Sequence, residues 1–138
     1  MKKTIALSGA FDPPTIGQTR MISHASKLGD VIIILNSDEW LLKRKHRMFL
    51  TRNKRKDILK KMPGVVDIVD ALDDDGTVCV TLSELRPDIF GNGGYRTPDN
   101  TPEIDLCTKL GIELVWQIGS EEDLKQIEDL YSKVLKDE

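Results

Sequence analysis

Eleven consecutive residues, Ser8-Gly9-Ala10-Phe11-Asp12-Pro13-Pro14-Thr15-Ile16-Gly17-Gln18, carry the types and spacing that phosphate binding requires. The apolar run 4–7 leads into Gly9, whose missing side chain lets a ligand approach the backbone. Asp12-Pro13-Pro14 forms a stiff turn that delivers Thr15 to the start of a helix. Backbone N–H groups and a helix N-terminus then converge on one point, an arrangement suited to anions. Taken singly, Thr15 reads equally well as an N-cap and Gln18 as an ordinary first-turn residue. The eleven together are far less ambiguous.

Charge marks a second region. Residues 43–61 hold ten Lys or Arg against one acid, Asp57, a local balance of +9 in a chain of net charge −3. The remainder therefore carries −12. A basic patch on an acidic body is a candidate anion site for nucleotide phosphates or nucleic acid, or else a solvated helix face. A third region is Gly91-Asn92-Gly93-Gly94, where a buried strand ends in a loop that also admits a ligand. Other groups are weaker. Asp73-Asp74-Asp75 before Gly76 reads as an acidic turn rather than a metal site, and His24 and His46 lack ligand spacing. Trp40 reads as core or lid packing.

The elements that position these residues follow from the apolar pattern. Strands are expected at 4–7, 31–35, 65–69, 89–90 and 112–116, and helices at 16–28, 52–62, 78–85, 102–110 and 121–135. Alternation of strand and helix predicts a three-layer α/β/α fold, Rossmann-like, with a parallel sheet, in a single domain over residues 1–138. Gly29 and Gly111 each stand between a helix and a strand, where a left-handed residue would stop the helix. In such sheets ligands bind at the carboxyl ends of the strands, where the turn after Leu7 and the loop after Leu35 should meet.

Composition sets outer bounds. Charged residues are 31% and apolar residues 39% of the chain, which suits a globular protein rather than a disordered one. The longest apolar stretch, 31–35, is strand-sized, and Met1-Lys2-Lys3 is followed by no apolar segment of signal-peptide length. Cys79 and Cys107 lack metal spacing and read as buried thiols in a reducing cytoplasm.

The segment 8–18 resembles the nucleotide-binding signature of the cytidylyltransferase-like nucleotidyltransferases, Gly-x-Phe-Asp-x-x-His/Thr-x-Gly-His, with Thr15 at the variable site and Gln18 at the final histidine. Asn36-Ser37-Asp38-Glu39-Trp40-Leu41, the basic stretch, and Arg55-Lys56-Asp57-Ile58-Leu59 follow in the same order. That order is similar to the glycerol-3-phosphate cytidylyltransferase and heptose-phosphate adenylyltransferase branches. Asn92-Gly93-Gly94-Tyr95-Arg96 and Asn100-Thr101-Pro102-Glu103 resemble a pattern of the same branch, with Tyr95 where Asp is usual.

The resemblance implies transfer of a nucleotidyl group from CTP or ATP to a sugar- or polyol-phosphate, with Mg²⁺ carried on the triphosphate and pyrophosphate released. It implies Thr15, Gln18, Lys43, Arg44 and Arg55 as candidate catalytic residues, with Lys43 or Arg44 and, beside it, Arg55 on phosphates. Gly9, Ala10, Phe11, Asp12, Gly17, Asn92, Gly93, Arg96 and Ser120 become candidate nucleotide contacts, though Ser120 alone reads as an N-cap. It also implies a homodimer. Gln18, Tyr95 and the acids Glu121, Glu122 and Asp123 depart from the pattern at nucleotide-facing positions. An impaired, nucleotide-binding homologue and a nucleic-acid-binding domain using the 43–61 patch are therefore the alternative readings. No metal ligand is expected from the protein, and no membrane association.

Overall fold

In Thr4-Ile5-Ala6-Leu7 successive side chains point to opposite faces of a strand, and Ile5, Ala6 and Leu7 are all fully buried. Val31-Ile32-Ile33-Ile34-Leu35 repeats the pattern, so both faces of the sheet are covered. The computed structural model describes residues 3–93 and 96–119. Over them run β1 (Thr4–Gly9), α1 (Ile16–Ser26), β2 (Asp30–Leu35), α2 (Asp38–Arg44), α3 (Arg52–Leu59), β3 (Val65–Asp70), α4 (Cys79–Leu85), β4 (Ile89–Gly91), α5 (Ile104–Leu110) and β5 (Glu113–Val115), with a 3₁₀ turn at Pro98–Asn100 before α5.

The five strands are parallel in the order β3-β2-β1-β4-β5. β1 sits at the centre, pairing with β2 from Thr4–Asp30 to Gly9–Leu35 and with β4 through Ile5–Ile89 and Ala6–Phe90. Two apolar clusters lie on the two faces. Ile5, Leu7, Val31, Ile33 and Leu35 pack with Ile22 and Ala25 of α1 and Leu59 of α3. Ala6, Ile34 and Phe90 pack with Leu82 of α4 and Cys107 of α5. The result is the expected three-layer, Rossmann-like α/β fold. Chain order reverses at β1, between β2 and β4, and a crevice opens there at the carboxyl ends of the strands.

Two expectations need correction. Gly111 does stop α5 in the left-handed region, at φ 72°. Gly29 does not stop α1 that way; it is required because a Cβ there would stand 2.4 Å from the Lys3 carbonyl oxygen. The apolar pattern also predicts no helix over 38–44, where the structure has α2. α2 buries only Leu41, so it lacks an apolar stripe, and its terminal signals define it instead. The Ser37 hydroxyl accepts from the Trp40 N–H, Asp38 and Glu39 open the helix, and Lys43 and Arg44 close it. The helix expected at 121–135 lies outside the described residues.

Candidate functional site

A cavity of about 600 Å³ opens at the carboxyl end of the sheet. The turn after β1 forms its floor through Gly9, Ala10, Phe11 and Asp12. Thr15 and Gln18 bring in the start of α1, Asn36 and Trp40 follow β2, and Lys45, Arg47 and Phe49 stand on one side. Gly76, Thr77, Val78, Arg96 and Glu103 complete the lining. Phe11 adopts φ 51° and buries its ring against Gly9, where a Cβ would lie 2.9 Å from the ring. Gly9 is thus required by packing beneath the cavity.

α1 begins with a reciprocal cap. The Thr15 hydroxyl accepts from the Gln18 N–H at 3.1 Å, and Gln18 Oε1 accepts from the Thr15 N–H at 2.9 Å. Two of the N-terminal donors are satisfied in this way, while the N–H groups of Ile16 and Gly17 have no intrahelical acceptor. Because a backbone N–H fixes Gln18 Oε1, the other end of the amide is its NH₂, a neutral donor on a side chain that lines the cavity.

Asp12 and Arg55 form a brace under the loops. The Asp12 carboxylate accepts from the N–H groups of Phe49 (2.8 Å) and Leu50 (2.6 Å). Arg55 is fully buried: Nη1 donates to the carbonyls of Ala10 and Asn36, both at 2.8 Å, and Nε donates to that of Leu50 at 3.1 Å. Its Nη2 meets Asp38 at 2.7 Å. One side chain therefore joins the turn after β1, the loop after β2 and the approach to α3. Arg55 was expected on a substrate phosphate; the structure puts its guanidinium on the protein's own backbone instead, outside the cavity lining. Asp12 reaches the cavity, with both carboxylate oxygens engaged in the brace.

The cationic side of the cavity is shifted along the sequence from its expected position. Lys43 is exposed and outside the lining. Arg44 turns away, its Nη2 donating to the Asp74 carbonyl at 3.0 Å and its guanidinium lying against Gly76. Lys45 and Arg47 line the cavity, with Arg47 5.3 Å above the Phe49 ring. The basic run was visible in the sequence; which of its members face inward depends on where α2 ends, at Arg44.

Among the candidates from the loop after β4, Arg96 faces the cavity, and Asn92 and Gly93 do not line it. Asn92 is buried and ties β4 to the end of β5: its N–H donates to the Val115 carbonyl at 2.9 Å, and its carbonyl accepts from Ile118. Gly93 lies against Met21. Gly17 stays in the first turn of α1, outside the lining, and Ser120 lies outside the described residues. Glu103, fully buried, lines the cavity and was missed as a site residue, as were Thr77 and Val78. No local pattern marks Thr77 and Val78.

The acidic segment 73–75 serves the wall. Asp73 caps α4, accepting from the N–H groups of Val80 and Thr81 and from the Thr81 hydroxyl. Two hydrogen bonds from Thr77 hold the Asp75 carboxyl below its ordinary range. His24 Nδ1 accepts from the Gly119 N–H at 2.9 Å, a structural contact. The two thiols are unpaired, and burial pushes that of Cys107 up to about 11. Among the described residues no group of three or more His, Cys, Asp or Glu gathers to hold a metal, and no helix is long and apolar enough to cross a membrane.

Comparisons with known proteins identify the family and the fold. The cytidylyltransferase-like family matches residues 6–134. The chain is 32% identical over 119 residues to the Bifunctional protein HldE of Syntrophotalea carbinolica, covering 83% of this chain and 24% of that protein. It thus spans about a quarter of that relative's length. It is 26% identical over 147 residues to the FAD synthase of Ferroglobus placidus, covering 99% of this chain and 95% of that protein. The lipopolysaccharide core biosynthesis protein of Thermoplasma volcanium superposes with a TM-score of 0.67 at 18% identity, over 85% of this chain and 97% of that one, a likeness of fold.

Proposed function

The chain belongs to the cytidylyltransferase-like family of nucleotidyltransferases, and from that premise we propose that its cavity binds CTP or ATP and transfers the nucleotidyl group to a sugar- or polyol-phosphate. One observation carries the reading: the N-terminus of α1, the Gln18 amide and the cations Lys45, Arg47 and Arg96 all border a single cavity at the chain reversal. A phosphate oxygen of the acceptor attacks the α-phosphorus of the triphosphate. The new P–O bond forms as the bond to the bridging α–β oxygen breaks, and pyrophosphate leaves with that electron pair. The chain's part is positioning and charge stabilisation. The Gln18 NH₂ meets an α-phosphate oxygen at the start of α1, and the guanidinium and ammonium groups meet the charge on the leaving group and the acceptor.

Mg²⁺ bound to the triphosphate would neutralise its phosphate oxygens. The donor set suits a metal held by phosphate rather than by a protein cage, since the Asp12 oxygens are already engaged. In this proposal Thr15 supports α1 as its cap, and Arg55 holds the loops. We further propose a cytoplasmic homodimer, in keeping with two unpaired thiols and a sheet with two edge strands.

A second reading, nucleotide binding without turnover, draws support from Gln18, a neutral donor that cannot supply the charge of an imidazolium. Incubation with Mg²⁺ and each triphosphate, against a set of sugar- and polyol-phosphates, separates the two. Pyrophosphate release with one triphosphate and one acceptor is the expected result. Selective affinity without release under any pairing would establish the second reading, and no affinity for any triphosphate would overturn both.

A further inference from the structure

Glu103 is an unusual residue for the wall of an anion cavity. Its carboxylate is 0% exposed, Oε1 accepts from the Val78 N–H at 3.2 Å, and Oε2 meets Arg96 Nη1 at 3.4 Å. Burying a carboxylate is costly unless its pairing is close, and both contacts are long. Apolar packing would stabilise this site at least as well. A negative charge here also repels any phosphate in the same cavity, so simple Coulomb attraction to a ligand does not account for it.

Its partner supplies a reason. Arg96 lies on a loop with no strand or helix of its own, its side chain is 35% exposed, and it lines the cavity. Its Nη1 touches Glu103 and, at 3.4 Å, the Asn100 carbonyl. Glu103 stands at the N-cap of α5 and also holds the start of α4 through Val78, so it is fixed by two helices. We infer that Glu103 is a positioning residue: it anchors Arg96 by one guanidinium nitrogen so that the cation is presented to a polyphosphate in the cavity. The inference rests on the proposed reading of the cavity as a triphosphate site. A pre-placed arginine loses less side-chain entropy on meeting phosphate, which offsets the repulsion from the carboxylate behind it.

The sign of one substitution separates the alternatives. Calorimetric affinities for Mg²⁺-CTP, Mg²⁺-ATP and inorganic tripolyphosphate are measured for the unmodified protein, E103Q, R96Q and the double variant, with thermal melts of each. Positioning predicts that E103Q binds the preferred triphosphate about tenfold more weakly. R96Q loses at least as much, and the double variant is no weaker than R96Q alone. An unchanged or tighter affinity in E103Q overturns the inference while leaving the triphosphate reading intact, because loss of an idle carboxylate only relieves repulsion. Additive losses in the double variant overturn it too, by assigning Glu103 an effect independent of Arg96. Should E103Q fail to fold, E103D, which keeps the charge but draws it back by one methylene, must show the same loss of affinity. If the unmodified protein binds none of the three anions, both the inference and the triphosphate reading fall. Binding tripolyphosphate no more weakly than either nucleotide removes only the nucleotide reading.

Discussion

Two arginine–carboxylate pairs flank the cavity, and they are built in opposite ways. In Arg55–Asp38 the arginine is fully buried, the carboxylate is 39% exposed and the contact is 2.7 Å. In Arg96–Glu103 the carboxylate is fully buried, the arginine is 35% exposed and the contact is 3.4 Å. The buried member of each pair belongs to the framework, and the exposed member remains available to solvent or ligand. A guanidinium that has given its donors to three backbone carbonyls and a carboxylate has few left for a phosphate. The same residue type therefore serves as a brace beneath the loops in one pair and as a candidate ligand contact in the other.

The largest effect expected from this contrast is on stability. Arg55→Met leaves the carbonyls of Ala10, Asn36 and Leu50 without their donor, and should lower unfolding free energy by about 3 kcal/mol or more in urea titration. A loss below about 1 kcal/mol with triphosphate affinity abolished would instead make Arg55 a ligand contact.

Next comes binding on the cationic side. Arg47→Ala should weaken triphosphate affinity about tenfold, roughly 1.4 kcal/mol, whereas Arg44→Ala, which removes a contact with the Asp74 carbonyl, should leave it within about twofold. Calorimetry on the two variants decides whether the inward-facing member of the basic run was assigned correctly.

Much of the fold was legible in advance, because buried parallel strands announce themselves as apolar runs and each crossover leaves a helix between them. The order of charge and loop segments located the cavity as well. What sequence could not say was which way each polar side chain turned. Arg55 and Arg47 lie in one basic run, yet one is sealed under two loops and the other lines the cavity. That choice is set by tertiary partners, Ala10, Asn36 and Leu50 for Arg55, which are remote or unmarked in the chain. Glu103 was missed for a similar reason: its burial depends on α4 and α5 packing together. Gly29 shows the converse, a residue read correctly as necessary but for the wrong cause.

A smaller effect concerns the cap of α1. Gln18→Ala removes one half of the reciprocal cap and should cost about 1 kcal/mol. Gln18→His tests the neutral donor: turnover of the unmodified protein should show no inflection from this position between pH 6 and 8, and the histidine variant should acquire one near pH 6.5. An inflection in both would assign it to another group.

The smallest effect lies in the acidic turn before α4. The Asp75 carboxyl is held low by Thr77, so its stabilisation is complete above the unfolded value, about 3.9, and is lost as pH falls through the lower folded value. Asp75→Asn should therefore narrow the difference in melting temperature between pH 5 and pH 3. An unchanged difference would place the acid sensitivity elsewhere.

The central claim is that the cavity between these two pairs is a triphosphate site, and thermal unfolding with each of the four ribonucleoside triphosphates and Mg²⁺ tests it most directly. At about 100 times its dissociation constant, a bound nucleotide adds roughly 2.7 kcal/mol to the native state, enough to raise the midpoint by roughly 10 °C. A rise of that order with CTP or ATP, cut to about half in Arg47→Ala at the same concentration, is the predicted result. Midpoints unmoved by all four triphosphates at millimolar concentration would contradict it.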